Sequence, residues 1–297
     1  MRVLVTGATG LIGGAVARRL ASAGHEVVGL ARSDASAAKL ADQGYTAVHG
    51  DLADAASIAE AARGVDAVIH AASPSDQNRA AYDKAATRAI IDALRGTAKR
   101  FVYTSGCLLY GATGDTPATE DSPLYPLDLV RFRQALEGEI LAAAADGVHS
   151  IVIRPGWVYG NWGGTAMMMM YGSAKEHGAA RYVDDGKNRW TTVHADDLAD
   201  LYLLALEKAP AASIFNGAHG AAIPLIEIAR AASEGAGAEG QVAEWPLDDA
   251  RQALWGFADA IACDQVISGE LAQHELGWSP SRHSIVDELR SYASTAA

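Results

Sequence analysis

Residues 171–175 read YGSAK, a tyrosine four places before a lysine. At that spacing both side chains leave one face of a helix, and a phenol beside an ammonium ion could deliver a proton. A second chemistry is written near the start of the chain, where Thr6-Gly7-Ala8-Thr9-Gly10-Leu11-Ile12-Gly13 follows the apolar run RVLV. Strand, glycine turn and helix in that order suit a pyrophosphate. Gly7 permits the tight turn, Gly10 lets backbone approach the phosphates, and Gly13 lets the helix pack closely on the strand. The helix N-terminus adds unpaired N–H groups.

The end of the next strand speaks to which dinucleotide is held. An acid about 20 residues beyond the glycines would bind the adenosine ribose hydroxyls of NAD. That place reads Leu30-Ala31-Arg32-Ser33. A guanidinium beside a hydroxyl suits a 2′-phosphate, so NADP is expected ahead of NAD. Asp34 follows and reads as the start of a helix.

Other chemistries find no support. The chain has no GxSxG elbow, no HExxH and no convincing pair of carboxylates, and its two cysteines, Cys107 and Cys263, carry neither CxxC spacing nor a metal-ligand cluster. Lys and Arg number 24 against 36 Asp and Glu, a net charge of −12, which argues against a nucleic-acid or anionic-membrane partner. No apolar stretch approaches the roughly 20 residues of a membrane helix. Few cysteines, and a first strand that begins directly after Met1, lead us to expect a cytoplasmic protein. The expected partner is a small-molecule substrate; a homodimer stays open.

The elements that must position these groups alternate along the 297 residues. RVLVT, HEVVGLA, YTAVHGD, VDAVIHAA, RFVYTS and HSIVIRP are continuous apolar runs, the pattern of buried parallel strands. Helix-length alanine-rich stretches lie between them, among them SDQNRAAYDKAATRAIIDALRG and LVRFRQALEGEILAAAADG. The class is therefore α/β: a doubly wound parallel Rossmann sheet with a smaller C-terminal substrate lobe. Residues 1–155 would form the nucleotide-binding core, completed by about 190–216, with 156–189 and 217–297 as the lobe. The tail from Ile223 reads as helices joined by loops.

Taken in order, TGATGLIGG, Asp51-Leu52, His70-Ala71-Ala72-Ser73, Tyr110-Gly111, Arg154-Pro155-Gly156-Trp157-Val158-Tyr159-Gly160, WTTVHADDLA and LGWSP make the chain resemble the extended short-chain dehydrogenase/reductase superfamily. That group includes NAD(P)-dependent epimerases and dehydratases, and the resemblance spans nearly the whole sequence. It implies cofactor contacts from Gly7, Thr9, Gly10, Leu11, Ile12, Arg32, Ser33, Asp51, Leu52, Ala71, Ala72, Ser73, Thr104, Arg133, Pro155, Gly156, Trp157 and Val158.

The same resemblance locates the proton-transfer set, and this chain departs from it. The family's tyrosine and lysine sit on the helix between the fifth and sixth strands, four residues apart, with a glutamate four beyond the lysine. Anchored on Glu137, the lysine position is Arg133 and the tyrosine position is Leu129, which cannot donate a proton. The family's Ser or Thr closes the fifth strand, where Ser105 and Gly106 stand. Ser105, Arg133, Tyr110 and Tyr159 are the candidate catalytic residues, with Cys107 and His194 weaker ones.

YGSAK falls instead in the expected substrate lobe, after the sheet has been left. There Trp157, Trp162, Met168, Tyr171 and Trp190 are expected to contact substrate, methionine supplying a pliable apolar surface. The function expected is NADP-dependent reduction of a small, fairly apolar carbonyl, imine or activated alkene with an atypical proton donor. The alternatives are an epimerase, dehydratase or isomerase with bound cofactor, and a non-catalytic NADP-sensing protein.

Overall fold

The computed structural model describes residues 1–74 and 78–295. Residues 75–77, where the expected fourth helix begins, lie outside the described residues. The first half alternates β1 (Arg2–Thr6), α1 (Leu11–Ser22), β2 (Glu26–Ala31), α2 (Asp34–Asp42), β3 (Thr46–His49), α3 (Ala55–Arg63), β4 (Ala67–His70), α4 (Arg79–Leu94), β5 (Arg100–Thr104), α5 (Phe132–Ala142) and β6 (His149–Pro155). It continues through β7 (Trp157–Tyr159), α6 (Thr165–His177), β8 (Ala180–Val183), β9 (Arg189–His194), α7 (Ala195–Lys208), β10 (Ser213–Gly217) and β11 (His219–Pro224). The tail holds α8 (Leu225–Gly235), β12 (Val242–Trp245), α9 (Leu247–Leu254), α10 (Gly256–Ala262), α11 (Glu270–Leu276) and α12 (Ile285–Ser291).

Seven strands form one parallel sheet in the order β10-β6-β5-β4-β1-β2-β3. The order reverses between β1 and β4, and that switch opens a crevice beyond the strands' carboxyl ends. Side chains alternate across the sheet. Val3, Val5, Ile69, Val102 and Ile151 pack beneath α1 and α7, while Leu4, Val68, Phe101, Tyr103 and Val152 pack with Ile58, Ile90 and Leu136 on the other side. With both faces covered, strands need apolar residues at every position, which explains their continuous runs. Each fully buried Val, Leu or Ile contributes roughly 1.5–3 kcal/mol.

A separate apolar cluster joins α6, α8, α10 and α12 with Trp190. The tail differs from the expected run of helices: Ile223 belongs to β11, antiparallel to β9, and β12 pairs in parallel with β8. α5 also begins later than expected, at Phe132. Asp128 pairs with Arg131 rather than capping the helix, and Val130 N bonds Leu127 O, so Leu129 lies in a turn ahead of α5. Among the described residues, no helix is long and apolar enough to cross a membrane.

Candidate active site

β1 delivers the chain into its glycine turn with Gly7 at φ +72°. A Cβ there would stand 2.9 Å from the backbone of Ala72 at the end of β4, and one on Gly13 would stand 2.3 Å from the Gly7 carbonyl oxygen. No side chain fits either place, so the helix sits directly on the strand. Gly10 N donates to Gly7 O at 2.8 Å. α1 then starts with no side-chain cap and no acid in its first turn, leaving its amides for an anion.

A groove of about 720 Å³ runs from this turn, within the roughly 300–1,000 Å³ of ligand pockets. Its walls include Gly7, Thr9, Gly10, Leu11, Ile12, Arg32, Ser33, Asp51, Leu52, Ala71, Ala72, Ser73, Trp157 and Val158. Residues far apart in sequence thus meet at the switch point of the sheet. Arg32 is exposed at the end of β2 and pairs with no acid among the described residues. Ser33 caps α2 through Ser36, and Asp34 lies 3.8 Å from His49. Asp51 accepts from Ala53 N at 2.9 Å, while Asp54 caps α3, so Asp51 is not the helix cap. Glycines that admit no Cβ and bare helix amides fit the pyrophosphate of a dinucleotide.

Beyond Ile12, Trp157 and Val158, which border both spaces, a smaller cavity of about 190 Å³ is lined by residues that include Ser105, Val130, Arg133, Pro155, Gly156 and Gln265. Ser105 is 4% exposed and its hydroxyl has no hydrogen-bond partner. Arg133 Nη1 donates to the Ser105 carbonyl oxygen at 2.7 Å. Its neighbour Arg131 points outward to Asp128, so the two arginines divide between pocket and solvent. Val130, rather than Leu129, borders the cavity.

Several expected residues lie elsewhere. Strand alternation sends Thr104 to the opposite side of the sheet from Ser105, where its hydroxyl meets Tyr202 at 2.6 Å. Tyr110 accepts from Arg154 Nη1 at 2.8 Å and donates to Asn216 Oδ1 at 2.8 Å, and burial pushes its phenol up. Tyr159 donates to the His283 carbonyl at 2.6 Å, its phenol pushed up by burial and by Asp197. Neither tyrosine borders the groove or the small cavity. Cys107 does border the cavity, but burial raises its thiol and Sγ donates to the Arg154 carbonyl at 3.1 Å. His194 caps α7, and burial pushes its imidazole pKa down.

The expected substrate residues divide in the same way. Trp157 borders the groove and stacks on Trp190, ring centroids 4.0 Å apart, but Trp190 is 0% exposed and donates to the Ile261 carbonyl. Trp190 is therefore backing behind the wall. Trp162, 46% exposed, stacks on Tyr292, and Tyr171 meets both edge-on. Lys175 lies over the Tyr171 ring at 5.9 Å, far from any role at the groove. Met168 borders neither space; Met169 and Met170 line another cavity, of about 310 Å³, with Arg181 and Trp245. The groove also recruits Tyr82, Thr165 and Phe257, which sequence patterns did not single out.

Beneath the site lies a buried polar cluster whose centre, Asp83, sequence patterns did not single out. Asp83 on α4 accepts from Tyr103 Oη at 3.0 Å, and lies 3.4 Å from both His70 Nε2 and Arg133 Nη2. Burial alone would raise its carboxyl, but His70, Arg133 and Tyr103 outweigh burial and hold it below the usual carboxylate range.

Fold and groove together define a dinucleotide-binding, doubly wound protein. The model of the NAD dependent epimerase/dehydratase family matches residues 3–217, and the chain belongs to that family. An uncharacterized protein of Schizosaccharomyces pombe is 34% identical over 305 residues, covering 99% of each chain. The 2-alkyl-3-oxoalkanoate reductase of Stenotrophomonas maltophilia is 29% identical over 248 residues, 77% of this chain and 73% of that one. In fold, the chain matches dTDP-glucose 4,6-dehydratase from Streptomyces venezuelae, a structure with NAD bound, at TM-score 0.83 and 24% identity over 99% and 96% of the two chains. The protein is an NAD(P)-dependent enzyme of the epimerase, dehydratase and reductase family.

Proposed function

We propose that this enzyme is an NADP-dependent reductase of a small, fairly apolar carbonyl, imine or activated alkene. The observation carrying this reading is the adjacency of the two spaces: Ile12, Trp157 and Val158 wall both the nucleotide groove and the small cavity bordered by Ser105, whose hydroxyl is unpartnered. The turn from Gly7 to Ile12 would hold the pyrophosphate, Arg32 and Ser33 the 2′-phosphate, Asp51 and Leu52 the adenine, and Arg133 the nicotinamide ribose. When bound, NADPH would supply the hydride.

The chain's own residues then orient the acceptor. Val130, Pro155 and Trp157 offer an apolar wall that excludes water and strengthens polar contacts inside. Ser105 Oγ can donate to a carbonyl oxygen, and the Arg133 guanidinium lends positive charge where negative charge develops. With Tyr110 and Tyr159 committed to buried bonds, the groove-lining Tyr82 and solvent are the remaining proton sources. The relative named for a 2-alkyl-3-oxoalkanoate supports a ketone on an apolar chain.

Titration with NADPH and NADH tests the cofactor preference. NADPH should bind about tenfold tighter or better, and Arg32→Ala should remove that margin while leaving NADH affinity unchanged, since a charge-assisted hydrogen bond contributes about 1.5–3 kcal/mol. Equal affinities in the unaltered protein would overturn the preference. Failure to oxidise NADPH with any ketone, imine or enoate offered would overturn the reductase reading.

A further inference from the structure

The buried cluster under the small cavity has a direction. Thr6 Oγ1 accepts from both Ala71 N and Ala72 N, each at 3.1 Å, so its own proton is left for His70 Nδ1 at 2.7 Å. His70, accepting at Nδ1, carries its proton on Nε2, which faces Asp83 Oδ1. The other carboxylate oxygen takes Tyr103 and faces Arg133. A line of polar groups, hydrogen-bonded at Thr6 and Tyr103 and in 3.4 Å charge contact at His70–Asp83 and Asp83–Arg133, thus runs from the turn after β4, which borders the groove, to the guanidinium at the small cavity.

The path ends in a fork. Arg133 spreads one Nη to the Ser105 carbonyl and the other toward Asp83, which a lysine's single charge could not do in one geometry. Its Nε is buried with no hydrogen-bond partner. Burial first, and then the neighbouring Arg133, push the Arg79 guanidinium down, and it donates to the Leu129 carbonyl at 2.6 Å. Two arginines against one carboxylate leave this corner positive in a chain of net charge −12, the sign an anionic cofactor requires.

We propose that Asp83 is a positioning residue, fixing the Arg133 guanidinium so that it grips the nicotinamide half of the bound dinucleotide. This rests on the NADP reading above. An arginine standing where the resembling family has lysine needs a buried anion to aim it, and α4 supplies one.

The test compares NADPH with adenosine 2′,5′-bisphosphate, which lacks the nicotinamide half. Asp83→Asn should weaken NADPH about tenfold while bisphosphate binding stays within about twofold, and in an Arg133→Ala background it should weaken NADPH no further. Asp83→Ser gives the same readout where thermal melting shows the asparagine variant unfolded. Equal weakening of both ligands, additive loss with Arg133→Ala, or unchanged NADPH affinity would each overturn the proposal. If the unaltered protein binds neither ligand, the NADP reading itself falls.

Discussion

α5 contributes one member to each of two buried arginine–carboxylate pairs, and the pairs are built differently. Arg154 and Glu137 are each 3% exposed, and Arg154 Nε contacts both Glu137 oxygens at 3.1 and 3.2 Å while Nη1 reaches Tyr110. Tyr110 passes the bond to Asn216, whose N–H meets Glu120 and whose amide meets Ser268. That network is closed. Arg133, 12% exposed, lies 3.4 Å from Asp83, and both retain atoms without a hydrogen-bond partner. A fully paired network braces β6 against α5; an incompletely paired one keeps donors in reserve for a ligand.

Breaking the closed pair should have the largest effect. Glu137→Ala leaves Arg154 charged and unpaired in the interior and should cost about 3–5 kcal/mol in urea unfolding, with nucleotide affinity per folded molecule unchanged. A comparable loss of affinity would erase the distinction between the two pairs. The open pair should show itself in acid. Because the folded Asp83 carboxyl is held below its ordinary value of 3.8, its stabilisation is complete above that value and is lost as pH falls through the folded pKa. Acid unfolding of Asp83→Asn should therefore fall less steeply with pH than that of the unaltered protein, and superimposable curves would contradict the pairing. Smallest of all, Arg131→Ala removes an exposed pair with Asp128 and should change stability by no more than about 0.5 kcal/mol, which sharpens the contrast with its inward neighbour two residues on.

The sheet and glycine turn were legible because their patterns are local: buried runs for strands, and a turn in which Gly7 and Gly13 are forced by contacts under 3 Å. Asp83 was not legible. It sits in an alanine-rich helix where any charge reads as solvated, and only the packing of α4 on β5 turns it toward Tyr103. Trp190 failed for the opposite reason. Composition marks an aromatic segment but cannot separate the wall, Trp157, from the layer supporting it. Tyr171 and Lys175 do share a helix face as their spacing requires, yet tertiary packing places that helix in the other apolar cluster. The departure from the resembling family at Leu129 and Arg133 was readable in advance, although the late start of α5 shows that Leu129 stands in a turn.

The seventh strand of the sheet carries a consequence for biosynthesis. β10 pairs with β6 along Ser213–Gly217, covering an edge that is buried from Ser150 to Pro155. Until Gly217 leaves the ribosome, that apolar edge stands open, a template for pairing with another chain. A chain cut after Pro155 would keep it open permanently and should aggregate, so the nucleotide half cannot mature before most of the residues that interrupt it have been made.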